Sequence, residues 1–234
     1  MIRPFRPLFI LEVLPRLLAY LPVSLAVALG TVLLGTIFGF FLAWAKLGKV
    51  PLLKKAAELY TWVLRCTPSI VLLFLVYYGL PAFVKKVFLL DISQWHRIFY
   101  VILTFTLFFA ATMSELLRSA YLAVDRGQRE AALSHGLTEF QALRRIVLPQ
   151  AALSALPNFT SSLTALLKEG SLAYTVGLVD LLGQTSLIIA RNYGAWAIES
   201  YLAAALVYWA LTISIEKAFR TLEKHLARSR KALA

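Results

Sequence analysis

Four sets of ionisable residues stand among apolar neighbours: Arg65, Glu115, the pair Lys168-Glu169, and Glu199. A charge at membrane depth is costly unless it is paired or faces water, so each marks either an ion pair or a pathway. Glu169 is the best placed for ligand chemistry, because Lys168-Glu169-Gly170-Ser171 joins a charge, a glycine break and a hydroxyl. Amides freed after Gly170 would offer donors to an anion, while Glu169 would face a cation. The same residues also read as a Lys168–Glu169 pair at a helix junction. Thr67-Pro68-Ser69 is a second candidate: Pro68 removes a backbone donor, and Thr67 and Ser69 either line a cavity or heal the kink. Glu115 and Arg118, three residues apart, read as a pathway group or as an intrahelical ion pair. Glu199 begins the last apolar stretch and reads as a cap.

Covalent and metal chemistry find no support in the pattern. His96, His135 and His225 lie in polar stretches, each out of helical reach of a second His or of the lone Cys66. No HExxH, nucleophile elbow or catalytic carboxylate pair occurs. The nearest approach to a phosphate loop runs from Gly30 to Gly35, but Thr36 stands where the Lys must be and the segment is apolar. Gly35 and Gly39 instead form a GxxxG face suited to close helix packing.

The elements that must carry these residues are helices in a bilayer. The 234 residues are 60% hydrophobic and 15% charged, with a mean hydropathy of +0.74, far more apolar than a soluble domain. Runs of about 20 apolar residues match the hydrocarbon thickness. We read five spans, at 18–45, 58–84, 98–122, 146–168 with a broken or re-entrant continuation to 190, and 195–221. The fold class is all-α and polytopic, a single transmembrane domain over 1–234. Pro7, Glu12, Pro15 and Arg16 interrupt the first apolar run, and no cleavage site follows, so it does not read as a removed signal peptide. Trp62, Trp95, Trp196 and Trp209 fall near span ends, as interfacial indoles do.

Between the third and fourth spans lies a polar insert, Gly127 to Gln150. Asp125 and Gln128 can cap a short helix that Gly136 ends. Thr138 and Gln141 have capping-box spacing for a second, with Phe140, Leu143 and Val147 on its apolar side and Pro149 at membrane re-entry. Ala131 and Ala132 permit close backbone approach, and Glu130 offers a charge across a contact. Spacing alone is equally consistent with a solvated helical loop.

Lys and Arg set the orientation. With five spans, Arg3, Arg6, Arg16, Lys85, Lys86, Arg97 and Arg191 share one side. Lys46, Lys49, Lys54, Lys55, Arg118, Arg126, Arg129, Arg144, Arg145, Lys217, Arg220, Lys224, Arg228, Arg230 and Lys231 share the other, which places the polar insert in the cytoplasm. The net charge of +12 is spread along membrane edges, which fits anionic headgroups of membrane lipid and not nucleic acid. Cys66, in an apolar run, reads as a small packed side chain.

The run Glu130-Ala131-Ala132, three residues, Gly136, nine residues, Ile146, one residue, Leu148-Pro149 resembles the EAA loop of ABC importer permeases. The stretches beginning at Arg65, Ser114 and Leu166 resemble signatures of the polar amino acid uptake branch. Cys66 and Ser119 stand where that branch usually has Gly, and Glu169-Gly170 where Asp-Thr is commoner. The resemblance implies a type I ABC importer permease fold, with a coupling helix at about 127–145, a cytoplasmic tail at about 222–234, the N-terminus outside and the C-terminus inside a prokaryotic plasma (inner) membrane. It implies cytoplasmic ABC ATPase subunits that bind the ATP and Mg, a second permease copy or paralogue, and an extracytoplasmic amino acid-binding protein. Glu130, Ala131, Ala132 and Gly136 would couple to the ATPase. Glu169, Ser171, Thr67, Ser69 and Glu115 would line the path, with Glu169 and the Gly170 amides matching the two charges of a zwitterion. This chain would bind no cofactor and would not itself be an enzyme. Cystine is a candidate substrate, another small solute is the same-class rival, and an ATP-independent channel or scaffold is the rival from another class.

Overall fold

The computed structural model describes residues 4–231, with side chains as far as residue 226. Arg3 and the side chains of Arg228, Arg230 and Lys231, all counted in the charge asymmetry, lie outside that description. Among the described residues there are nine helical elements: α1 (Pro7–Leu18), α2 (Leu21–Leu47), α3 (Pro51–Cys66), α4 (Ser69–Phe88), α5 (Arg97–Leu122), α6 (Arg126–Ser134), α7 (Glu139–Val176), α8 (Leu181–Arg191) and α9 (Ala197–Lys231). Four are long and apolar enough to cross a bilayer: α2, α4, α5 and the Ala197–Leu226 part of α9. The α7–α8 pair, bent by 49°, meets the same length and composition when taken together, as a broken span or a re-entrant loop. The all-α polytopic expectation holds, with two changes of boundary. The second span is not continuous over 58–84, because Thr67 is extended (φ −92°, ψ 128°) ahead of Pro68 and splits it into α3 and α4. The expected tail at 222–234 is helical as far as Lys231.

Prolines also shape two of the long helices from within. Wide π turns at Leu75–Gly79 and Leu143–Val147 each stand just ahead of a proline, Pro81 and Pro149. A proline ring clashes with the carbonyl four residues back, and widening the preceding turn relieves that clash without ending the helix.

Helix α5 is the axis of the main core. Val101, Phe105, Phe109 and Met113 pack there with Val27 of α2, Leu73 of α4, and Leu166, Ala173 and Val176 of α7. The parallel neighbour α2 buries a stripe of small residues, Ala28, Thr31, Gly35, Gly39 and Ala43, spaced three or four apart as one helical face. A Cβ at Gly39 would sit 2.6 Å from the Met113 Cβ and 3.0 Å from the Ala110 carbonyl oxygen, so the GxxxG expectation is met by direct backbone approach. A second core joins α1, α8 and α9 through Phe9, Val13, Leu17, Leu181, Ile188 and Ala203. Trp209 lies in mid-span on α9, exposed, and not at a span end.

Candidate functional site

The polar insert folds as two short helices braced against each other. Asp125 caps α6 by accepting from the Gly127 amide at 2.6 Å, and Gly136 ends it with φ +82°. Gln128 does not share in the cap: its Oε1 accepts from Gln150 Nε2 at 3.2 Å, tying α6 to the start of the membrane segment of α7. The capping box forms as the spacing predicts, with the Thr138 hydroxyl accepting from the Gln141 amide and the Gln141 side chain accepting from the Thr138 amide. Arg129 then grips Glu139 through two bonds, Nε at 2.9 Å and Nη2 at 2.6 Å. That pairing pushes the guanidinium still further up from its ordinary range.

This bracing divides the expected coupling residues. Glu130 and Ala131 are exposed, whereas Ala132 is buried against its own chain and its carbonyl accepts from the Leu137 amide at 3.2 Å. Ala132 therefore sets the internal packing, and the surface open to another protein is the Glu130–Ala131 side. Phe140, expected on the apolar side of the second helix, is 68% exposed, while Val147 is buried as expected. Glu130 is exposed at the edge of a cleft that it shares with Tyr121, Arg126, Arg129 and Val147.

Just inside, at the same end of the bundle, is a polar knot that spacing did not reveal. Lys46, read from sequence as a loop cation, is buried and spends all three ammonium protons: on Thr61 Oγ1 of α3 at 2.6 Å, and on Ser114 Oγ at 2.8 Å and Glu115 Oε1 at 2.6 Å of α5. Both hydroxyls pass their own protons to backbone carbonyls, Thr61 to Ala57 and Ser114 to Ala111, each at 2.8 Å. The other carboxylate oxygen of Glu115 accepts from Arg118 Nε at 3.1 Å and Nη2 at 2.8 Å. The expected Glu115–Arg118 pair is thus present, but as the rim of a network that binds α2, α3 and α5 together.

The remaining pathway candidates fare unevenly. Gly170 stays in the right-handed helical region (φ −54°, ψ −26°), donates to Leu166, and leads into a 3₁₀ turn over Gly170–Val176. No run of free amides follows it, because the helix tightens there instead of opening. The true break is at Gly177 (φ +79°), where the carbonyl accepts from Arg97 Nη1 at 2.7 Å. Ser171 spends its hydroxyl on the Lys168 carbonyl at 2.6 Å, and Thr67 spends its own on Val63 at 2.8 Å, healing the Pro68 kink. Ser69 opens α4 and is half-buried. Glu169 is half-buried, and among the described residues Lys168 and Glu169 form no ion pair. No hydrogen bond joins Glu169 or Ser171 to the Thr67–Ser69 break among the described residues, yet the helices that carry them share one buried core through Leu73, Leu166 and Ala173.

One anchor lay outside the residues read as functional. Asp180 is buried, caps α8 by accepting from the Gly183 amide at 2.8 Å, and meets the Ser24 hydroxyl of α2 at 3.5 Å. Ser24 in turn accepts from the Leu181 amide at 3.2 Å. The signal was available as Asp180 ahead of the apolar run Leu181–Arg191. Glu199 does more than begin its helix: its carboxylate accepts from the Arg6 amide at 2.8 Å and holds the chain ahead of α1 against α9. Cys66, expected to be packed, is exposed as the last residue of α3 at the break. At the opposite end from α6, Asp91 is held well below the usual carboxylate range by the Ser93 hydroxyl and by Lys85.

Comparison with known proteins places this arrangement. Residues 35–228 match the family described as binding-protein-dependent transport system inner membrane component. The L-cystine transport system permease protein TcyL of Bacillus subtilis (strain 168) is 37% identical over 219 residues, 93% of this chain and 90% of that protein. The probable amino-acid permease protein YxeN of the same organism is 38% identical over 205 residues, 88% of each chain. A crystal structure of an amino acid ABC transporter with histidines superposes with a TM-score of 0.82 at 27% identity, covering 95% of this chain and all of that one.

Proposed function

The chain belongs to the family of binding-protein-dependent transport system inner membrane components, and from that premise we propose that it is the permease subunit through which an ABC importer passes a polar amino acid, cystine foremost. The observation that carries the reading is α6: a short helix fixed by Asp125, Gln128 and the Arg129–Glu139 clamp, with Glu130 and Ala131 left open on its outer side. A helix held by these contacts, with Glu130 and Ala131 exposed, transmits force instead of absorbing it. The similarity to TcyL supports cystine as the first substrate to test.

In this reading the polar insert faces the cytoplasm, the N-terminus lies outside, and two copies or close relatives form the path between them. A solute-binding protein delivers the amino acid from outside. Two ATPase subunits, which hold the ATP and Mg, seat against Glu130 and Ala131 and draw the two α6 helices together. ATP can drive the change only by binding the outward-facing assembly more tightly than the inward-facing one. The permease performs no covalent step. Its share is to carry that preference from α6 through Gln150 into α7, and through the Lys46 knot into α2, α3 and α5. Glu169, half-buried on α7 and in no ion pair among the described residues, is the group we assign to the substrate ammonium.

The test is a reconstituted assembly with its binding protein, challenged with a panel of amino acids while ATP hydrolysis and uptake are followed. Stimulation and uptake selective for cystine support the full reading. Selectivity for another amino acid retains the importer and replaces the substrate. Purification without an ATPase subunit, or uptake without ATP, overturns the proposal.

A further inference from the structure

We propose that the groove between the α6-proximal ends of α2, α5 and the start of α7's membrane segment is a binding site for one anionic phospholipid of the surrounding bilayer. The cavity measures about 430 Å³, within the range of small-molecule sites, and is open along one side. Trp44 and Leu47 of α2 and Tyr121 of α5 form two walls, and Leu148, Ala152 and Ala155 of α7 form the third. The alanines make a trough of the α7 surface, where longer side chains would have closed it against α2. Trp44 is 64% exposed, so no described element covers the opening.

An apolar trough at the end of three spans calls for a hydrocarbon occupant, and the mouth specifies its headgroup. Arg144 and Arg145 lie on the π turn between Leu143 and Leu148, both of which line the groove, and Lys49 follows the lining residue Leu47 by two. All three are exposed and in no ion pair among the described residues, and no carboxylate lines the cavity. The nearby acid Glu139 is already taken by Arg129. Guanidinium groups bind phosphate through paired N–H donors, and cations at the membrane edge favour lipids with net negative charge over zwitterionic ones. The acyl chain lies in the trough, and the phosphate is held at Arg144 and Arg145. This site is independent of which solute is carried.

The experiment is native mass spectrometry of the assembled transporter titrated with phosphatidylglycerol or phosphatidylcholine. The wild type should retain phosphatidylglycerol at least tenfold better than phosphatidylcholine. Ala152→Phe fills the trough from an exposed position and should abolish retention. Arg144→Gln with Arg145→Gln should erase the preference between the two lipids, which keeps the test open if the Phe variant fails to assemble. Equal retention of both lipids by the wild type, or undiminished phosphatidylglycerol on either variant, overturns the proposal. So does displacement of the lipid by glycerophosphate, which would assign the affinity to phosphate alone. Disulfide cross-linking of Ala152→Cys to a second permease copy would likewise overturn it, since the groove would then be a subunit interface.

Discussion

Lys46 and Glu115 meet at 2.6 Å with very unequal access to water: the lysine side chain is 1% exposed and the glutamate 28%. Removing one partner of a buried pair costs about 3–5 kcal/mol when it strands the other charge away from water. Here the two removals are not equivalent. Glu115→Gln leaves a buried ammonium without a counterion, whereas Lys46→Met leaves a part-exposed carboxylate still held by Arg118. Thermal unfolding of the purified protein should therefore show the larger loss for Glu115→Gln, with much of it recovered in the double variant. Equal losses would mean that the knot is not the electrostatic unit its geometry implies.

The α2–α5 contact allows a second comparison at glycines of one helix. At Gly39 a Cβ would meet the Met113 Cβ and the backbone of Ala110 and Ser114, none of which can swing aside. At Gly30 it would meet no backbone, only the Ile102 side chain, Cδ1 at 3.1 Å and Cγ2 at 3.4 Å, which has to give by no more than a few tenths of an ångström. Overpacking a tight site costs about 1–3 kcal/mol. Gly39→Ala should lower the unfolding temperature clearly and Gly30→Ala only slightly, as thermal denaturation in detergent would register.

The contrast also marks what the sequence made readable. The capping box at Thr138, the Gly136 terminus, the GxxxG face and four of the five spans depend on neighbours within a few residues, so spacing carries them. The Lys46 knot does not, because its acceptors lie 15, 68 and 69 residues away and a lysine near a span end reads as a loop cation. The Arg6–Glu199 contact spans 193 residues and is invisible for the same reason. The break assigned to Gly170 belongs to Gly177: glycine is permissive of αR as well as αL, and only packing decided which of the two turned.

Ala131 and Ala132, adjacent in sequence, should answer differently to the same substitution. Ala131 faces out beside Glu130, while Ala132 is 7% exposed and packs inward. Ala131→Arg should leave the fold and external solute binding intact but abolish substrate-stimulated ATP hydrolysis. Ala132→Arg should lower thermal stability, because it forces a charge into the packing under α6. Undiminished stimulation in Ala131→Arg would remove this helix from the coupling path.

Glu169 separates a substrate role from a structural one. It is half-buried on α7 and in no ion pair among the described residues, so its charge is not spent on holding the fold. A carboxylate that meets the ammonium of a zwitterion contributes through a charge-assisted bond, about 1.5–3 kcal/mol, which corresponds to roughly a tenfold to hundredfold change in affinity. Glu169→Gln keeps the shape and one acceptor while removing the charge. Uptake by the reconstituted transporter should then show a KM raised by about tenfold or more, with thermal stability and ATP hydrolysis in the absence of solute unchanged. Uptake of a solute lacking the amino group should be the same in the variant as in the wild type. Unchanged KM, or a fall in stability of the same size as the loss in uptake, would return Glu169 to the scaffold and leave the charge of the substrate to be met elsewhere along α5 and α7.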